Sequence, residues 1–127
     1  MTPDRALASH RRLLAEDGTG TVTVRRYAGT GAGRAVAASA DALAKVAMYK
    51  PEQIVGAVVQ GDRKVILLND PAASVPSGKV ALSSLLPLSK YTDRLLIGGV
   101  EVSIEGVDDQ TRRIQGVLIA LEIQVRG

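Results

Sequence analysis

Apolar and polar residues alternate with a period of two through the C-terminal third of the chain. In VEVSIEGV (100–107), Val100, Val102 and Ile104 fall on one side, and Glu101, Ser103 and Glu105 on the other. From position 117 the alternation resumes: Val117, Ile119, Leu121, Ile123 and Val125 face one way, and Glu122, Gln124 and Arg126 the other. This period predicts antiparallel strands with one buried and one wet face. Gly98-Gly99 separates RLLI (94–97) from the first run, and two adjacent glycines suit the primed two-residue turns that hairpins favour. Asp108-Asp109-Gln110 supplies the next turn.

Further upstream the period changes. Residues 2–17 predict a helix: Thr2 suits the cap, Pro3 the first helical position, and Asp4 the positive end of the dipole. Leu7, His10, Leu13 and Leu14 lie on one side and Gly18 ends the run. The stripe is short, so Leu7 and Leu14 are expected to pack on another element or on a neighbouring subunit. TVTVRRYA (21–28) and ALAKVAMYK (42–50) predict strands, the second ending before Pro51. IVGAVVQGDRKVILLND (54–70) predicts a hairpin turning at Gln60-Gly61-Asp62-Arg63, with a bulge at Gly56.

Two stretches resist assignment. Residues 29–41 are rich in Gly and Ala and predict a mobile loop. Residues 70–93 hold Pro71, Pro76 and Pro87 and are long for a plain connection, which marks a functional or disordered loop. Within it Val80, Leu82, Leu85, Leu86 and Leu88 crowd five aliphatic side chains into nine residues. Exposed, such a density marks an interaction surface, so these five, with Leu7 and Leu14, are the candidate partner-interface residues. The whole, residues 1–127, predicts one mainly β domain: a small antiparallel β-barrel or sandwich with an N-terminal helix and a long loop.

Composition narrows the chemistry. Aromatic residues make up only 2% of the chain, all tyrosine, so the core must be aliphatic. With no cysteine and a single histidine, His10, thiolate and His-cluster metal sites are excluded, and no metal or cofactor is expected. The first residues carry charges throughout, unlike a signal peptide, and no apolar run reaches the length of a membrane span. A cytoplasmic protein, or one of a particle assembled there, is expected. The net charge of +3 is spread along the sequence, a weak pointer to nucleic acid.

Candidate catalytic groups do not converge. Asp108-Asp109 suits a turn better than a carboxylate dyad, and Ser89-Lys90 is a coincidence of neighbours in a loop rather than a Ser-Lys dyad. Gly29-x-Gly31-x-Gly33 lacks the βαβ context of a dinucleotide site, and no Lys-Ser/Thr follows it as in a P-loop. The doublets Arg25-Arg26 and Arg112-Arg113 suit phosphate contacts, but without interleaved aromatics they do not build a base-stacking face. No catalytic residue is assigned and no enzyme activity is expected.

The order of elements resembles the head–tail joining proteins of tailed bacteriophages, also called head-closure or stopper proteins. The resemblance rests on the strand reaching Tyr49, on EQIVGAVVQGDRKVILL, and on Asp-Arg-Leu…Gly-Gly-Val-x-Val leading into VDD. It covers residues 42–127; the helix, the Gly/Ala stretch and the interior of 70–93 match no family pattern. It implies a small β-barrel that assembles as a homo-oligomeric ring below the portal and its adaptor in the virion neck, put together in the bacterial cytoplasm. Such a ring closes the DNA-filled head and meets the tail terminator or tail tube, while DNA passes through without specific binding and no membrane is involved. Long loops in the family reach into neighbours or narrow the channel. The alternative is a small-barrel nucleic-acid-binding protein.

Overall fold

In the computed structural model, which describes residues 2–18, 20–56 and 58–127, the strands close on themselves. Six of them form an antiparallel barrel in the order β1-β2-β3-β8-β5-β4, with β4 returning to β1. They are β1 (Gly20–Ala28), β2 (Ala35–Met48), β3 (Arg63–Leu68), β4 (Asp93–Ile97), β5 (Val100–Asp108) and β8 (Ala120–Arg126). A small ribbon of β6 (Arg113–Ile114) and β7 (Val117–Leu118) stands beside them. The expected choice between barrel and sandwich thus resolves as a barrel.

Side-chain alternation explains the closure. Val22 and Val24, Val65 and Leu67, Leu95 and Ile97, Val102 and Ile104, and Leu121, Ile123 and Val125 all point into one core. The fully enclosed residues that strand β2 contributes there are Ala40, Ala42 and Ala44, with Ala38 and Val46 packed partly buried on either side of them. Three small side chains in a close-packed interior must be complemented from elsewhere. The complement is Leu82, Leu85 and Leu88, which join the same cluster from a short 3-10 turn (Leu82–Leu85) and the residues after it.

Helix α1 (Pro3–Asp17) lies outside the barrel. Thr2 Oγ1 accepts from Arg5 N at 3.3 Å, as the cap predicted. Ala6, Leu7 and Leu14 pack with Leu68 and Ile119, flanked by Leu43 and Ile114. Leu43 and Leu68 sit between inward residues and therefore face outward, which makes the floor for the helix. A Cβ at Gly18 would lie 2.0 Å from Leu14 O and 2.9 Å from Ala44 O, so only glycine lets the chain turn against the barrel wall here.

Several expectations are corrected. The Gly/Ala stretch is a loop only over 29–34; residues 35–41 continue into β2, which pairs with β1 from Ala35↔Ala28 to Ala44↔Gly20. The strand expected at 42–50 is the second half of β2 and ends at Met48. The hairpin expected at 54–70 does not form: the described residues of 54–62 are not strand, Ala57 lies outside the described residues, and β3 pairs with β2 and β8. Gly56 turns the chain with φ +59° rather than bulging a strand. Val100 and Val117, expected inward, are exposed at strand ends. The Gly98-Gly99 turn between β4 and β5 stands as expected, with φ +57° and +84°.

Candidate functional site

Three features could carry chemistry or contacts: the 80–93 segment, the connection between β2 and β3, and a cleft beneath the helix.

The first is not a free surface. Leu82, Leu85 and Leu88 are buried in the barrel core and Leu86 packs against it; of the five aliphatics expected to face a partner, Val80 alone is exposed. The alanines of β2 give Leu82, Leu85 and Leu88 a core position, so within this chain these three do not form the exposed surface that was expected. An ion pair holds them there. Asp93 is fully buried, and its carboxylate accepts from Arg26 Nε at 2.8 Å, Arg26 Nη2 at 3.0 Å and Ser89 N at 2.7 Å. Arg26 Nη2 also donates to the carbonyls of Leu85 and Pro87. The hydrogen bond to Asp93 raises the Arg26 pKa despite burial. One guanidinium thus ties the end of the segment to β1. Its start is tied by Lys79 Nζ on Asp41 at 2.6 Å and by Val80 N on Ser39 O at 2.9 Å. Leu7 and Leu14, the other interface candidates, are buried against their own barrel and are equally unavailable.

The second feature escaped the sequence reading. Residues 49–62 leave β2 at Met48, make a turn over Pro51–Gln53 and return to β3 at Arg63. Val55 is 69% exposed and Val59 45%, beside Met48 at 61%. The base of this segment is tied to β8. Asp62 is buried, and its carboxylate accepts from Arg126 Nε at 2.8 Å, Arg126 Nη2 at 2.9 Å, Gln124 Nε2 at 2.8 Å and Val59 N at 3.1 Å. The hydrogen bond from Arg126 leads the causes that hold Asp62 well below the usual carboxylate range. An aliphatic tip is therefore presented to solvent from a fixed support. Glu52, just ahead of it, is exposed.

The third feature is a cleft of about 250 Å³ lined by His10, Leu13, Leu14, Lys45, Ile66 and Arg112. Arg112 Nη1 meets His10 Nε2 at 3.1 Å, while His10 Nδ1 lies 2.9 Å from Ala6 O. A guanidinium can only donate, so in this arrangement Nε2 accepts and Nδ1–H donates.

The remaining candidates resolve into structural roles. Asp108 accepts from Gln110 N, Thr111 N and Thr111 Oγ1, and the Thr111 hydroxyl leads the causes that lower its pKa. Asp109 accepts from Gln110 Nε2, so the two carboxylates shape one turn. Ser89 Oγ accepts from Tyr91 N, and Lys90 Nζ lies over the Tyr91 ring, 5.3 Å from its centroid. All four doublet arginines bind their own chain: Arg25 pairs with Glu101, Arg26 with Asp93, Arg112 with Glu122, and Arg113 donates to the carbonyls of Asp109 and Gly116. Gly31–Gly33 is a single 3-10 turn followed by a strand, not by the helix a phosphate cradle needs. Among the described residues no group of three or more His, Cys, Asp or Glu gathers as metal ligands, and no helix is long and apolar enough to cross a membrane. Comparison with known families, curated proteins and solved structures finds no match.

Proposed function

We propose that this protein is a structural component of the phage neck, forming a ring that closes the DNA-filled head and joins it to the tail. The adaptor or portal ring lies on one side and the tail terminator or tail tube on the other. The observation that carries the reading is the aliphatic tip formed by Val55 and Val59 on a base fixed by Asp62 and Arg126. Exposed apolar groups on a rigid support mark a surface that another protein covers, and a closed barrel without bare sheet edges is a sound unit to repeat around a ring. The engagement of all four doublet arginines within the chain favours this reading over the nucleic-acid-binding barrel.

The test is to replace residues 54–59 by a Gly/Ser linker in a particle system that supplies portal, adaptor and tail. The expected result is a folded protein and DNA-filled heads that leak or fail to join tails. Normal infectious particles would overturn the reading. Nanomolar, salt-sensitive DNA binding by the free protein would favour the small-barrel alternative. Deleting residues 80–88, by contrast, removes core leucines and reports only on folding.

A further inference from the structure

The cleft under the helix and the tip of the β2–β3 connection are chemically complementary. The cleft has an aliphatic floor of Leu13, Leu14 and Ile66 and a cationic wall of Lys45 and Arg112, and among the described residues no carboxylate lines it. Leu13 is 54% exposed although it lies on the helix face that packs. Lys45 is exposed and has no ion pair among the described residues. Arg112 is incompletely served: it shares the Glu122 carboxylate with Lys64, at 3.2 and 3.9 Å, and its buried Nε has no acceptor among the described residues. The cleft therefore offers an apolar hole beside the exposed ammonium of Lys45. The tip offers the opposite: Val55 and Val59 for the hole, and the exposed carboxylate of Glu52 for the charge.

We propose that Glu52, Val55 and Val59 of one copy seat in the helix cleft of a second copy, with Val55 against Leu13 and Glu52 beside Lys45. This rests on the reading that the protein forms a ring of its own copies. Within one chain the two surfaces do not satisfy each other, since Val55 and Leu13 both remain more than half exposed. The donor and acceptor surfaces differ, so the contact is head-to-tail; it propagates in one direction and closes into a ring when the rotation per copy permits. The ion pair fixes which way the segment lies, while apolar burial supplies most of the attraction.

The chain lacks cysteine, so disulfide trapping reads the contact without background. Full-length Val55→Cys and Leu13→Cys proteins, each altered at an exposed position that leaves the core intact, are mixed under mild oxidation. The expected product is a mixed disulfide dimer formed well above the homodimers of either protein alone. Adding Glu52→Lys to the first partner should lower its yield about fivefold, as expected when an ion pair becomes a like-charge contact. Adding Lys45→Glu to the second should restore it. No excess of mixed dimer, or a yield indifferent to both charge changes, would overturn the proposal. Rings seen by negative stain without this cross-link would overturn the contact and leave the neck reading standing. Cross-linked open filaments without closed rings would support the contact and count against the neck reading.

Discussion

Two aliphatic segments of this protein meet opposite fates. Residues 82–88 carry Leu82, Leu85, Leu86 and Leu88 and are drawn into the barrel; of Ile54, Val55, Val58 and Val59 in the β2–β3 connection, the first and third are half-buried and Val55 and Val59 are exposed. Each is tied to the barrel by a buried aspartate and an arginine, Asp93 with Arg26 and Asp62 with Arg126. The difference lies in what each segment finds opposite. The first meets the alanine face of β2, where three small side chains leave space that leucines fill. The second springs from the ends of β2 and β3, and its aspartate points back to the outward-facing Gln124 and Arg126 of β8, so the core offers it no vacancy. Apolar density in a loop therefore does not by itself identify a binding surface; the vacancy or fullness of the facing wall decides.

The largest effect should come from breaking the first lock. Asp93→Ala removes the partner of a half-buried guanidinium and should cost about 3 kcal/mol in urea unfolding. Leu85→Ala should cost about 2–5 kcal/mol by opening a cavity in the core. If either changed stability by less than Val55→Ala, the contrast between the two segments would fail.

Acid should reveal the carboxylates next. Asp62 and Asp70 have lowered folded pKa values, chiefly through hydrogen bonds from Arg126 and Arg11, and the Thr111 hydroxyl leads for Asp108. A lowered folded value means that the unfolded chain binds more protons, so stability is full above the unfolded aspartate value of about 3.9 and is lost as pH falls through the folded values. Melting temperature should hold from pH 7 to about pH 5 and decline below about pH 4. Asp62→Asn should shallow that decline, and an unchanged acid profile would remove Asp62 from the account.

The smallest expected effect sharpens the comparison most. Val55→Ala should change stability by less than about 0.5 kcal/mol, as surface substitutions do. Amide exchange should be fast at Val55 and slow at Leu85 and Asp93, reversing the expectation that 70–93 is loose throughout.

Much of the barrel was legible in the residues. The strict alternation of β5 and β8, Gly98-Gly99 and the Thr2-Pro3-Asp4 cap each encode their element locally. The first half of β2 was not legible, because Ala38, Ala40 and Ala42 alternate with Ser39 and Asp41 at too small a contrast in hydrophobicity to show a period. IVGAVV reads as a buried strand for the opposite reason: β-branched residues state a propensity, and only the neighbours decide whether it is used. The locks were invisible for a third reason. Arg26 and Asp93 lie 67 positions apart, and Asp62 and Arg126 64 apart, with no local pattern to join them.

Those separations also set an order in time. The β1–β2 ribbon is local and can form early, whereas closure against β4 must wait for residues 93–97. Strand β8 lies between β3 and β5 and completes both. Until it inserts, each of those strands shows a bare edge, and an open sheet of this kind invites pairing with other chains. With pairings this distant in sequence, barrels fold in roughly milliseconds to seconds. The same strand that fills the gap between β3 and β5 brings Arg126 to Asp62, so the support under the exposed tip is assembled as those two edges are paired.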